Sequence, residues 1–109
     1  MKQTIAIRAT NDEQGYTSRT ISLDDDGSLV IEGQDLGSGV GDFWGGGFSE
    51  YEFARTIRRE GVARLKELSG VGDANVLESL RDRFGSTRAM ETFLEENGIE
   101  SSFWSRVGD

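Results

Sequence analysis

Apolar and polar residues alternate in the first half of the chain with the period of two that is typical of β-strands. The alternation covers residues 4–8, 17–23 and 51–57, and a short apolar run occupies residues 29–31. Because an apolar residue at every second position gives a strand one face to bury, these segments predict four strands.

A turn separates the second and third predicted strands. Three consecutive aspartates, residues 24–26, precede Gly27, and this is a turn signal because Asp side chains bond the backbone and Gly accepts a positive φ. The same aspartates suggest a calcium-binding loop. That pattern fails, because placing Gly27 at the sixth position of such a loop leaves Gly33 where the bidentate Glu belongs. The segment therefore predicts a β-hairpin and no metal site.

The second half of the chain changes to a helical period, and its apolar residues recur every three or four positions in three segments. We expect Asp73 to cap the second helix and Ser86 or Thr87 the third. The third should end with Gly98 in the left-handed conformation and Ile99 packed back. The residues expected to face the core are Val62, Leu65, Leu68, Val76, Leu77, Leu80, Phe84, Ala89, Met90, Phe93 and Leu94.

The order of these elements predicts the fold class. The tail, residues 101–109, is too apolar for a free end, and we expect Phe103 and Trp104 to clasp the core. Neither an internal repeat nor an interdomain linker is evident. We therefore predict one α+β domain over residues 1–109, with an antiparallel sheet of about four strands followed by three helices packed on one face.

Charge is unevenly distributed along the chain of 109 residues, whose 20 acidic and 12 basic side chains give a net charge of −8. No basic residue occurs between Thr20 and Glu52, a stretch with eight acidic ones. Such a surface repels nucleic acid and attracts a basic protein, although a charge of −8 also serves solubility alone. Four arginines follow within residues 55–64, where they either bind an anion or pair with these acids.

The composition removes most catalytic chemistry. The chain has no Cys and no His, which excludes disulfides, thiolate and imidazole catalysis, and metal sites that need those ligands. Glu50 and Glu52 share the polar face of one strand, but with 20 carboxylates such a pair arises by chance. We expect no enzyme, no metal and no cofactor. No apolar run reaches the roughly 18 residues of a membrane span, and the start lacks a signal peptide, so a cytoplasmic location is expected.

A glycine-rich segment interrupts the strands: seven of the fifteen residues 33–47 are glycine. It has no phosphate-binding motif and no Lys or Arg. Its aromatic residues Phe43, Trp44 and Phe48 either plug the core or form a recognition patch. Residues 37–48 are therefore the basis of an alternative function, a small-molecule binding module in which Trp44 is a stacking surface.

Three segments together resemble a group of small acidic bacterial proteins. They are residues 28–37, an SLxIEGQDLG-type sequence, residues 50–52, EYE, and residues 103–106, FWSR. The resemblance covers most of the chain. No function is assigned to that group, so the resemblance implies no substrate, cofactor or site residue.

These observations favour a non-catalytic protein that binds a basic protein partner and neither nucleic acid nor membrane. One such protein is an immunity protein or antitoxin that blocks a basic toxin, with carboxylates in the place of substrate phosphates. A homodimer is left open, since exposed aromatic residues would serve it equally well. The residues expected to contact a partner are Asp24, Asp25, Asp26, Glu32, Asp35, Asp42, Phe43, Trp44, Glu50 and Glu52.

Overall fold

Five strands and three helices make up the part of the chain that the structure, a computed structural model, describes: residues 2–12, 15–37 and 50–108. The strands are β1 (Gln3–Asp12), β2 (Gly15–Leu23), β3 (Leu29–Leu36), β4 (Glu50–Ile57) and β5 (Ser102–Gly108). The helices are α1 (Arg59–Ser69), α2 (Val76–Phe84) and α3 (Thr87–Glu96). The predicted α+β class is confirmed, and the sheet has one strand more than the four that the sequence indicates.

The strands form a single antiparallel sheet in the order β1-β2-β3-β4-β5. The three helices form the connection from β4 to β5, which returns the chain to the sheet beside β4. A bulge between Ala6 and Arg8 shifts the register of β1 against β2. Within the described residues, β1 and β5 are therefore the two edges of the sheet.

One face of the sheet packs against the helices. The registers place Ile21, Ile31 and Arg55 side by side, and Leu29 opposite Ile57, so these side chains point to the same face. The core that this face forms with the helices consists of Ile21, Leu29, Ile31, Phe53, Ile57, Val62, Leu65, Val76, Leu77, Leu80, Met90, Leu94 and Ile99. The helices therefore cover this face.

The opposite face of the sheet, here called the open face, carries mainly small and polar side chains. The Thr4 and Ser22 hydroxyls form a hydrogen bond of 2.9 Å across β1 and β2. Thr20, Glu32 and Ala54 follow in the next row, which ends at Trp104 on β5. A face with this composition has little apolar surface to bury. On its last two strands the large exposed aromatic residue is Trp104, which is 53% exposed.

Local signals in the sequence set several helix ends. Ser86 caps α3, and its hydroxyl accepts a hydrogen bond of 3.1 Å from the backbone N–H of Ala89. Gly98 has a φ of +65°, and Ile99 behind it is 7% exposed, as the sequence predicts. No helix in the described parts of the chain combines the length and the apolar character needed to cross a bilayer.

Three details of the sequence-based prediction are wrong. Asn75 rather than Asp73 precedes α2, with a φ of +53° that Asn tolerates better than most residues. Leu68 is 42% exposed, because three residues spaced by three spread over about 120° of the helix surface and the last leaves the buried stripe. Phe103 and Trp104 are not buried on the core: both lie in β5, 51% and 53% exposed, and Phe103 touches the edge of the core through the Phe53 ring.

Arg55 joins the sheet to the helical layer. Its Nε donates to Glu91 Oε2 of α3 at 2.7 Å, and its Nη1 donates to Ser101 Oγ at 2.8 Å. The guanidinium carbon lies 4.7 Å from the centre of the Phe103 ring. This arginine therefore pairs with α3 rather than with the acidic first half of the chain.

Candidate partner-binding surface

The β2–β3 turn presents three consecutive carboxylates at one end of the sheet. The Gly27 N–H donates to the Asp24 carbonyl at 3.0 Å, and the Asp24 N–H donates to the Ser28 carbonyl at 2.9 Å. Gly27 has a φ of +88°, a conformation that a side chain would strain. The predicted hairpin is confirmed.

Ser28 fixes the position of the Asp26 carboxylate in this turn. Its hydroxyl donates to Asp26 Oδ1 at 2.6 Å, and its backbone N–H donates to the same oxygen at 2.9 Å. These two hydrogen bonds, with a smaller effect of the Arg59 guanidinium, hold the pKa of Asp26 below its ordinary value. The carboxylate is therefore anionic well below neutral pH.

Replacing Ser28 by alanine tests this arrangement. We expect S28A to raise the pKa of Asp26 part of the way back to its ordinary value, since the hydroxyl donor is lost and the backbone donor remains. Carboxyl carbon shifts followed by NMR from acid to neutral pH measure the change. Asp73, whose pKa depends on Lys66, should titrate as before; an unchanged Asp26 would contradict the assignment.

The same shift makes a small part of the folding stability dependent on pH. The folded pKa of Asp26 lies below the unfolded one, so its contribution is fully present above the unfolded pKa. It is lost as the pH falls through the folded pKa. S28A should therefore reduce the loss of stability on acidification.

A depression of about 720 Å³ lies between the β2–β3 turn and the start of α2. Asp24 and Asp25 line it from the turn, and Asp73 and Glu78 line it from the region of α2. The remaining lining residues are Gln3, Thr4, Ile5, Leu23, Asn75, Val76 and Leu77. Among its described lining residues, four are acidic and none is basic. We call this feature the acidic depression.

The packing of α2 on the sheet brings these carboxylates together. Val76 and Leu77 are buried in the core at the start of α2, 9% and 2% exposed, which fixes Glu78 beside the end of β2. Asp73 precedes the helix, and Lys66 Nζ of α1 donates a hydrogen bond to its carboxylate. This bond and the charge of Lys66 lower the pKa of Asp73.

The predicted site residues on the sheet have cationic partners within the chain. Arg19 binds Asp35 through two hydrogen bonds, from Nη1 to Oδ1 at 2.9 Å and from Nη2 to Oδ2 at 3.2 Å. Arg106 Nη2 lies 2.7 Å from Glu50 Oε1 and 3.4 Å from Glu52 Oε1. The guanidinium groups therefore compensate the carboxylates of β3 and β4 that these contacts involve.

Glu32 also has a cation near it, since Lys2 Nζ lies 4.0 Å from its Oε1. Both side chains are about half exposed, so this pair is weak. Glu32, Glu50 and Glu52 lie on the open face, whereas Asp35 lies on the face that carries the helices. The predicted acidic stretch is therefore divided between two faces and the turn.

The remaining predicted residues, Asp42, Phe43 and Trp44, lie outside the described residues, as does most of the glycine-rich segment of the alternative function. Of the ten predicted residues, the structure brings Asp24 and Asp25 into the acidic depression, with Asp26 in the same turn. Asp73 and Glu78 were missed, because only the packing of α2 on the sheet carries them there. No sequence pattern links them to the turn.

Within the described part of the chain, no three carboxylates are placed so that they could hold a metal ion. Comparison with protein-family models, curated proteins and solved structures gives no significant match to this chain. The contacts and charges of the acidic depression are therefore the basis on which a function is proposed.

Proposed function

We propose that this chain is a non-catalytic interaction protein whose acidic depression binds a basic segment of a partner protein. The supporting observation is the lining of the depression, four carboxylate residues and no cationic side chain among the described residues. A lysine or arginine of the partner fits such a place, because its charge is complementary and its methylene groups pack on apolar lining such as Ile5 and Leu23.

The rest of the molecule favours the same partner. The net charge of −8 attracts a basic protein and accelerates the encounter. The carboxylates of Asp35, Glu50 and Glu52 are held by arginines of the chain itself. The lining of the acidic depression, in contrast, has four acidic residues and no basic one among the described residues, and Lys66 bonds Asp73 from outside that lining. The binding should therefore depend on the position of the carboxylates, not only on their number.

An inhibitor of a basic toxin is one concrete form of this function. A toxin that acts on nucleic acid presents lysine and arginine side chains to phosphates. The four carboxylates of the acidic depression would bind these side chains in place of the phosphates. We place this activity in the cytoplasm, where a chain without cysteine is unaffected by reducing conditions.

A pair of charge-matched variants tests the proposal. The first is D24N/D25N/E78Q; the second, E67Q/E95Q/E96Q, removes three exposed carboxylates from α1 and α3. Each changes the net charge from −8 to −5. The probe is a fluorescent hexa-arginine peptide, and its anisotropy is followed at about 20 mM and about 300 mM salt. Charges act over a longer range at the lower salt concentration and are screened at the higher one.

We expect the first variant to bind the peptide about tenfold more weakly, because three exposed ion pairs of about 0.5 kcal/mol each amount to about one factor of ten. The second variant should stay within about twofold of the parent chain. Equal weakening in the two variants, or binding that does not decrease in high salt, would show that the acidic depression is not the site.

A further inference from the structure

β5 is an edge strand whose outer side is not paired within the described residues. It pairs with β4 over its full length, from Ser102 opposite Thr56 to Gly108 opposite Glu50, without a register shift. Phe103 is 51% exposed and Trp104 is 53% exposed, and they lie on opposite faces of the strand. Its outer backbone N–H and C=O groups thus have no strand partner in the described ranges, and an aromatic residue lies on each face.

The other edge of the sheet carries features that hinder pairing with another chain. β1 has a bulge between Ala6 and Arg8, and its exposed side chains include Arg8, with Lys2 directly before it. Bulges and charged side chains are the usual means by which edge strands avoid association. β5 has no bulge and no proline, and its one charged side chain, Arg106, is bonded to Glu50 and Glu52 of β4, so the edge has less of that protection.

We propose that β5 pairs with β5 of a second copy of this chain, antiparallel about a two-fold axis at Ser105. Ser105 is the central residue of β5, so this register pairs the strand over its whole length. The two sheets then join into one continuous sheet. This inference concerns the β5 edge and does not depend on the acidic depression.

The register makes chemically matched pairs across the axis. Trp104 of each copy lies opposite Arg106 of the other on the open face, and Phe103 lies opposite Val107 on the other face. Opposite residues in an antiparallel pair are close enough for their side chains to pack. Each copy supplies both members of each pair, which is the self-complementarity that a two-fold interface requires.

The position of Arg106 favours its pairing with Trp104 of the second copy. Its guanidinium reaches inward to Glu50 and Glu52 of β4, at 2.7 Å and 3.4 Å. The methylene groups of the side chain then remain at the edge, where the indole ring of the second copy packs on them. The two carboxylates keep the arginine compensated, so the dimer buries no isolated charge.

Charge also selects this edge. Two copies of net charge −8 repel each other, and β5 brings together strands with no carboxylate and one arginine each. Added salt screens the repulsion between the copies, so it should strengthen the dimer. Binding of a basic partner to the acidic depression has the opposite dependence on salt, and the failure of either proposal is therefore distinguishable from that of the other.

Sedimentation velocity over a wide range of protein concentration measures the association. We expect the parent chain to sediment with twice the mass of the 12.0 kDa chain, and W104R to sediment as a monomer because it places arginine opposite arginine. Y16R replaces another exposed aromatic residue of the open face and should remain dimeric. Circular dichroism of both variants checks that the fold is kept.

Cysteine cross-linking tests the register, and the chain offers a clean background because it has no cysteine. In S105C the two cysteines face each other with a Cα separation of about 5 Å, within the range of a disulfide. In S102C they are about 20 Å apart. Mild oxidation should therefore convert most of S105C to a covalent dimer and leave S102C monomeric on denaturing gels.

Three results would overturn the proposal. They are a parent chain that stays monomeric at all concentrations, a W104R variant that still dimerises, and cross-linking of S102C as readily as S105C. The first includes the case in which the β5 edge accepts a strand of a different protein.

Discussion

Replacing Gly33 by alanine should lower the free energy of unfolding by about 2 kcal/mol, although alanine is normally preferred to glycine inside a strand by about 0.5–1 kcal/mol. A Cβ at Gly33 would lie 2.1 Å from Cε1 of the Phe53 ring. That ring lies over the glycine, with the Arg19 guanidinium carbon 5.2 Å and the Phe103 ring 5.9 Å from its centre. Because the residue is only 9% exposed and these two groups lie against the ring, a shift that clears the Cβ disturbs their packing.

Urea unfolding of G33A measures this effect, and thermal unfolding should show a midpoint lower by about 10 °C. G72A is the matched control, because a Cβ at Gly72 would meet no atom within 4 Å and its φ is not in the left-handed region. We expect G72A to unfold within about 0.5 kcal/mol of the parent chain. If G33A were as stable as G72A, the result would contradict the close contact of the Phe53 ring with Gly33.

The elements that the sequence predicts well are those with local signals. The β2–β3 hairpin follows from the turn at residues 24–27 and the alternation on either side of it. The end of α3 follows from Gly98 and Ile99, whose roles need only the last turn of the helix. Such signals act over a few residues, so a single sequence is sufficient to find them.

β5 is the element that the sequence did not predict, for a physical reason. Phe103 and Trp104 are adjacent, so in a strand they point to opposite faces, and the run has no alternation of apolar and polar residues. The strand is formed by pairing with β4, about 50 residues earlier in the chain. Pairing over that separation is decided by the packing of three intervening helices.

The same distinction separates the ion pairs. The Arg19–Asp35 pair follows from the register of the β2–β3 hairpin, in which Thr17 lies opposite Asp35 two residues from Arg19. The Arg106–Glu50 pair requires β5, so charge patterning alone could not reveal it. A run of acidic residues in a sequence is therefore not yet an acidic surface, because the sheet register decides which of them are compensated.

The two proposed surfaces use different physical properties of one molecule. The acidic depression is formed by the turn and α2 and depends on charge, whereas the β5 edge depends on its outer backbone groups and its aromatic side chains. β4 separates β5 from the strands that carry the turn. A dimer formed through β5 therefore leaves both acidic depressions accessible, so one dimer can bind two basic segments.

The position of α2 on the sheet, on which the acidic depression depends, leads to the second large effect. L80A should lower the free energy of unfolding by about 3 kcal/mol, because Leu80 is fully buried in the core and its removal leaves a cavity. L68A makes the same chemical change at a residue that is 42% exposed and should cost less than about 1 kcal/mol.

Urea unfolding of both leucine variants, with equal slopes, measures the difference. Helical periodicity alone assigns the two leucines to the core equally, so equal losses would support that assignment and contradict the structure. A large loss for L80A alone shows that α2 packs into the core by the face that carries Leu80.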